Sequence, residues 1–78
     1  MTTRKVAVVG AGSWGTAVAA IMAEHADVWL WARDPELAAG IDRDHENARY
    51  LPGISLPPSL RATSELDAVC ADADVVVI

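Results

Sequence analysis

Cysteine and positive charge are both scarce in this chain. A single cysteine, Cys70, stands among 78 residues. No internal disulfide can form and no cysteine-based metal spacing exists, and a reducing, cytoplasmic compartment fits that usage. Cys70 itself reads as a small core residue on a helix. Six lysines and arginines face eleven aspartates and glutamates, a net charge of −5. That balance argues against nucleic acid as a partner, because such binding depends on Lys and Arg contacts to phosphate. It does not argue against a phosphorylated small ligand, which helix ends and local charge can hold. Internal repeats and low-complexity tracts are also lacking, and with 53% hydrophobic residues the chain reads as one small globular unit. The last absence is an unbroken apolar helix. Val6 to Ala23 carries no charged side chain and follows Arg4 and Lys5, the outline of a membrane span or a signal segment. Gly10, Gly12, Ser13, Gly15 and Thr16 interrupt it. Its first part favours strand and its second part helix, so membrane insertion is not expected.

What is present is organised around Lys5-Val6-Ala7-Val8-Val9-Gly10-Ala11-Gly12-Ser13-Trp14-Gly15-Thr16. A β-branched run enters Gly-x-Gly-x-x-Gly, and an alanine-rich stretch leaves it: strand, tight turn, helix. Gly10 lets the strand turn sharply through positive φ. Gly12, without a Cβ, leaves room for a pyrophosphate at the backbone, and Gly15 lets the helix lie against the strand. The free N–H groups of the first helical turn and the positive end of the helix dipole then face the phosphates. A second hydrophobic run, Val28-Trp29-Leu30-Trp31, follows at βαβ distance. Motif and context together predict a dinucleotide seat, in which nothing attacks or protonates a substrate; the plain alternative is a tight turn in a nucleotide-free α/β domain.

The first strand is expected over about Arg4 to Val9, and the first helix from Ser13 or Trp14 to about Glu24, with Val18, Ile21 and Met22 as its apolar bulk. His25 reads as a solvated residue near the helix end. The second strand covers Val28 to Trp31 or Ala32. Asp34, Pro35 and Glu36 then open a second helix as cap, first position and first turn, with Leu37, Ala38, Ile41 and His45 at helical spacing. Tyr50 to Leu60 holds three of the four prolines and reads as an ordered loop able to bury Tyr50, Leu51, Ile54, Leu56 and Leu60. A short third strand, Leu60 to Thr63, leads to a brief helix capped by Ser64 with Asp67 three residues on, carrying Leu66, Val69 and Cys70 inward. Val75-Val76-Val77-Ile78 suits a strand buried on both faces of a parallel sheet. A chain stopping inside such a strand is expected to be the opening portion of a longer protein. The order βαβαβαβ with right-handed crossovers predicts a Rossmann-like, doubly wound parallel sheet in the order 3-2-1-4.

Several stretches in register resemble bacterial-type NAD(P)-dependent glycerol-3-phosphate dehydrogenase. They are Gly10-Ala11-Gly12-Ser13-Trp14-Gly15-Thr16-Ala17, Leu30-Trp31-Ala32-Arg33, Asn47 with Tyr50-Leu51-Pro52-Gly53, Leu56-Pro57, Leu60-Arg61-Ala62-Thr63 and Ala73-Asp74-Val75-Val76. The resemblance implies that this is the N-terminal part of a dinucleotide-binding domain, with the rest of that domain and a helical C-terminal domain beyond Ile78. It implies reversible hydride transfer between NAD(P)H and dihydroxyacetone phosphate, giving sn-glycerol 3-phosphate for phospholipid synthesis in a cytoplasmic enzyme that can be a homodimer. It places Ser13 and Trp14 over the cofactor phosphates and Arg33 at the adenosine ribose. Tyr50 is either a further cofactor neighbour or a loop-packing tyrosine. The catalytic and substrate-binding lysines lie beyond Ile78, so no catalytic residue is named here. The chain departs from the pattern at Ala23-Glu24-His25-Ala26-Asp27, which lacks the usual glycine, and at Trp29, where smaller residues are typical. Competing readings are a ketopantoate reductase, a hydroxyacyl-CoA dehydrogenase, or a non-catalytic dinucleotide-sensing module.

Cofactor choice turns on the end of the second strand. NAD-preferring members of this fold place an Asp or Glu there to accept hydrogen bonds from the ribose hydroxyls. Here the position is Ala32, with Arg33 next, which favours NADP(H) and still admits NAD(H). Asp34 is the ribose acceptor if the strand runs longer; the Asp-Pro-Glu pattern favours it as the helix cap.

Overall fold

The computed structural model of the protein describes residues 4–78. Three consecutive residues of the first strand, β1 (Lys5–Val9), are buried: Val6, Ala7 and Val8. Burial on both faces is what a central parallel strand requires, and β1 is central. It pairs in parallel with β2 (Asp27–Trp31) on one side and with β4 (Val75–Val77) on the other, while β2 pairs with β3 (Arg61–Thr63). The sheet therefore runs β3-β2-β1-β4, the doubly wound order expected from the sequence.

Strand alternation divides the sheet's two faces. Val6, Val8, Val28, Leu30 and Ala62 share a core with Ala19 of α1 (Ser13–Met22) and with Ala38 and Ile41 of α2 (Pro35–Asp44). On the other face lie Ala7 and Trp29, paired in register, and there α3 (Leu66–Cys70) buries Val69. Lys5 fastens that helix. Its Nζ donates to the carbonyls of Ala68 at 3.0 Å and Ala71 at 2.6 Å, and stands 5.4 Å from the centre of the Trp29 ring. Arg61 approaches the same indole at 5.1 Å, so the bulky residue at position 29 serves as a platform for two cations. Arg61 also pairs with Asp42 at 2.9 Å, and Asp42 Oδ1 accepts the Ala62 N–H at 2.9 Å, tying α2 to β3. Both donors hold the Asp42 carboxyl below its usual range, the Arg61 guanidinium most of all.

Several local expectations are corrected. α1 ends at Met22 rather than Glu24, because the last helical bond runs from the Ala23 N–H to Ala19 and His25 then turns back onto Met22. Ile21 faces solvent instead of adding core bulk. Ser64 does not cap α3: the Thr63 hydroxyl accepts the Glu65 N–H at 3.2 Å, so the helix begins a residue late with Glu65 at its N-cap. One short turn points only Val69 at the sheet, leaving Leu66 exposed and Cys70 half-buried. In the proline-rich loop Leu56 and Leu60 enter the core, but Tyr50 and Ile54 stay outside. β4 is not buried on both faces. Val75 and Val76 are 40% and 47% exposed, since β4 is an edge strand among the described residues and pairs only with β1. His45 ends α2 in the left-handed conformation, φ 54°, rather than continuing its apolar stripe. No helix among the described residues is long and apolar enough to cross a membrane.

Candidate functional site

At the C-terminal ends of β1 and β2 the chain leaves the sheet twice, and a cleft of about 630 Å³ opens between the two exits. This is the crevice in which open α/β sheets bind ligands. Its floor is backbone. Gly10 turns with φ +118°, a conformation L side chains rarely adopt, and its N–H donates to the Trp31 carbonyl at 3.1 Å, closing the turn onto β2. At Gly12 a Cβ would meet no protein atom within 4 Å. The absent side chain is therefore not demanded by packing; it leaves open space beside the N-terminus of α1. Gly15 is the opposite case: a Cβ there would overlap the carbonyl oxygen of Gly10. Helix and turn are in direct backbone contact, so Gly15 sits under the site rather than in it.

Gly12 is the N-cap of α1 and brings no side-chain cap, and the first turn carries no acidic residue. Its orphan N–H groups and the positive end of its dipole are thus uncompensated by the chain itself, the condition in which a helix N-terminus receives an anion. The open cradle at Gly12 and this bare helix end fit a dinucleotide pyrophosphate. Among the described residues no cluster of three His, Cys, Asp or Glu side chains could hold a metal ion.

The rim is built from side chains. Arg33, Asp34, Arg49 and Tyr50 line the cleft with Trp31 and Leu37. Trp31 is fixed by its indole N–H, which donates to the Ser64 carbonyl at 2.9 Å. No carboxylate closes β2: Ala32 is buried, and its N–H donates to the Thr63 carbonyl. Asp34 is the cap of α2, its Oδ1 accepting the Glu36 N–H at 2.9 Å, and its Oδ2 lies 3.1 Å from Arg49. The Glu36 N–H first, and then Arg49, hold its carboxyl below the ordinary aspartate range.

Of the residues singled out from the sequence, Gly10, Gly12, Arg33 and Tyr50 come together as walls of the cleft. Ser13 and Trp14 stand exposed on the first turn of α1, outside those walls, with Trp14 66% exposed. Asn47, to which no sequence pattern assigns a role, is fully buried. Its Nδ2 donates to the Ala11 carbonyl and to the Thr16 hydroxyl, both at 2.9 Å, and its Oδ1 accepts the Tyr50 N–H at 3.1 Å. One side chain thereby joins the glycine turn, α1 and the loop that carries Arg49 and Tyr50. The motif Asn47–Tyr50 was visible as sequence; a buried polar side chain between two β–α exits was not.

Residues 5–78 match the family described as NAD-dependent glycerol-3-phosphate dehydrogenase N-terminus. The chain is 58% identical over 74 residues to glycerol-3-phosphate dehydrogenase (NAD(P)+) 2 of Sphingopyxis alaskensis, covering 95% of this chain and 22% of that protein. It is 58% identical over 78 residues to the glycerol-3-phosphate dehydrogenase (NAD(P)+) of Xanthomonas oryzae pv. oryzae, covering 99% of this chain and 23% of the relative. Among solved structures, glycerol-3-phosphate dehydrogenase of Saccharomyces cerevisiae superposes with a TM-score of 0.87 at 34% identity, over 96% of this chain and 25% of the other. The chain thus spans less than a quarter of the length of the curated relatives it matches.

Proposed function

The chain belongs to the family of NAD-dependent glycerol-3-phosphate dehydrogenase N-termini, and from that premise we propose that it is the cofactor-binding portion of an enzyme interconverting dihydroxyacetone phosphate and sn-glycerol 3-phosphate. The observation that carries the reading is the cradle at Gly12, open to a ligand and roofed by an uncapped helix end. In this reading the turn N–H groups hold the pyrophosphate, with Ser13 and Trp14 beside it. Arg33 and Tyr50 receive the adenosine end. The nicotinamide supplies or accepts the hydride. NADP(H) is the preferred cofactor, since β2 ends on Ala32 and Asp34 is engaged as a helix cap, leaving Arg33 free of a neighbouring ribose-binding carboxylate. NAD(H) remains usable. The rest of the dinucleotide domain, a helical substrate domain and the catalytic groups belong to the larger part of the relatives' length that this chain does not span. The whole enzyme works in the cytoplasm on a small phosphorylated substrate, as a monomer or a homodimer, and feeds phospholipid synthesis.

The test is to mix the full-length protein with NADPH and dihydroxyacetone phosphate and to follow reduced-nicotinamide absorbance. Loss of absorbance that requires dihydroxyacetone phosphate is expected. Binding of NADPH without turnover of that substrate would leave a dinucleotide-sensing module, and no binding at all would remove the cofactor reading.

A further inference from the structure

Asp34 and Arg49 form an ion pair at the lip of the cleft that joins two separate segments, the entry to α2 and the loop beyond it. Neither charge is buried: the side chains are 40% and 50% exposed, so the pair contributes little to stability. Both residues line the cleft beside Arg33. Arg49 also lies 5.9 Å from the ring of Tyr50, on the loop that Asn47 pins to the glycine turn. The position of its guanidinium is therefore set from two sides, by the Asp34 carboxylate and by a loop fastened to the floor.

We propose that the Asp34–Arg49 pair is the element that sets the choice between a phosphorylated and an unphosphorylated adenosine ribose. The inference rests on the dinucleotide reading of the cleft and deepens it. A guanidinium has five N–H donors in a fixed fork, and Asp34 occupies only part of that set. The remaining donors can take a phosphate at the ribose, together with Arg33. While Arg49 neutralises it, Asp34 does not repel that phosphate. Without Arg49, Asp34 Oδ2 becomes an unpaired carboxylate oxygen at the cleft lip, able to accept ribose hydroxyls and to repel a 2′-phosphate. Removing one cation thus acts twice in the same direction. It takes away an attraction for NADP(H) and uncovers a repulsion that does not apply to NAD(H).

The experiment measures dissociation constants of NADPH and NADH by fluorescence titration at fixed low salt, using the full-length protein, Arg49→Gln, Asp34→Asn and the double variant. Arg49→Gln is expected to weaken NADPH by about ten- to a hundredfold, the range of a lost charge-assisted contact, while NADH holds or tightens. Asp34→Asn keeps a good helix cap and is expected to leave NADPH unchanged or tighter. The double variant should recover part of the NADPH affinity lost in Arg49→Gln, because the uncovered repulsion is gone. Equal losses for both cofactors in Arg49→Gln, or an unchanged ratio, would overturn the inference while leaving the dinucleotide reading intact. A wild-type protein that binds neither cofactor would overturn that reading and the inference with it.

Discussion

The floor and the rim of the cleft are made of different materials. The floor is backbone: the turn from Gly10 to Gly12, closed onto Trp31 and latched through the buried amide of Asn47. The rim is charge and ring on side chains: Arg33, Arg49 and Tyr50 exposed, and Asp34 partly so. A backbone cradle recognises what all dinucleotides share, because N–H groups and a helix dipole read phosphate and nothing more. Exposed side chains can be exchanged without disturbing the core, so in the proposed reading the rim is where one dinucleotide would be told from another. Affinity and selectivity should therefore come apart under mutation.

The largest effect is expected where the floor meets the helix beneath it. Gly15→Ala drives a Cβ into the Gly10 carbonyl, a backbone contact that cannot step aside. We expect about 3 kcal/mol or more of lost stability, read as a fall in the thermal unfolding midpoint of the full-length protein, with binding lost alongside. A midpoint unchanged from wild type would show that α1 can shift and that the floor is softer than drawn. Next comes Gly12→Val. Its Cβ meets no protein atom within 4 Å, yet it stands in the cradle, so the midpoint should fall only by the modest cost of a poorer N-cap while both NADPH and NADH weaken at least about a hundredfold, as several hydrogen bonds to charged phosphate are lost together. Unchanged affinity would put the dinucleotide seat elsewhere.

Arg33→Ala tests the rim. NADPH is expected to weaken about ten- to a hundredfold and NADH to change little; an equal loss for both, or none for either, removes Arg33 from the phosphate site. The smallest effect belongs to Asn47→Ala, which leaves the Tyr50 N–H and the Ala11 carbonyl without their partner. About 1–3 kcal/mol of stability should be lost. Asp34 still holds Arg49 at the cleft lip, so the two cofactors should weaken by a similar factor of about ten or less. A changed NADPH-to-NADH ratio in this variant would show that the Asp34 pair alone does not position Arg49 and that the floor shares in selectivity.

That division also explains what could be read without a structure. Gly10, Gly12 and Gly15 announce the floor because a positive φ, an empty cradle and a backbone contact each restrict the residue type. Strand order follows from the alternation of elements, and the Asp34 cap from its Pro35 and Glu36 neighbours. What could not be read depends on the path of residues 45–60, whose prolines exclude regular structure without fixing a direction. Asn47 reaches the core there through contacts 31 and 36 residues away in sequence, and Arg49 meets Asp34 across the cleft mouth. Periodicity carries no information about either. Leu66 and Ile54 failed for the related reason that an apolar side chain in a very short helix or a loop has no register to decide which way it faces.

The position of β1 in the sheet has a consequence in time. Val6 pairs with Val28 on one side and with Val75 on the other. As the chain leaves the ribosome, the first partner strand arrives soon after β1, and the second only when the whole stretch to β4 has been made, several seconds later at ordinary rates of synthesis of roughly 5–20 residues per second. Through that interval the central strand has one open edge. The two contacts that close the glycine turn, from Trp31 of the early partner and from Asn47, are both made by residues that precede β4 in the chain.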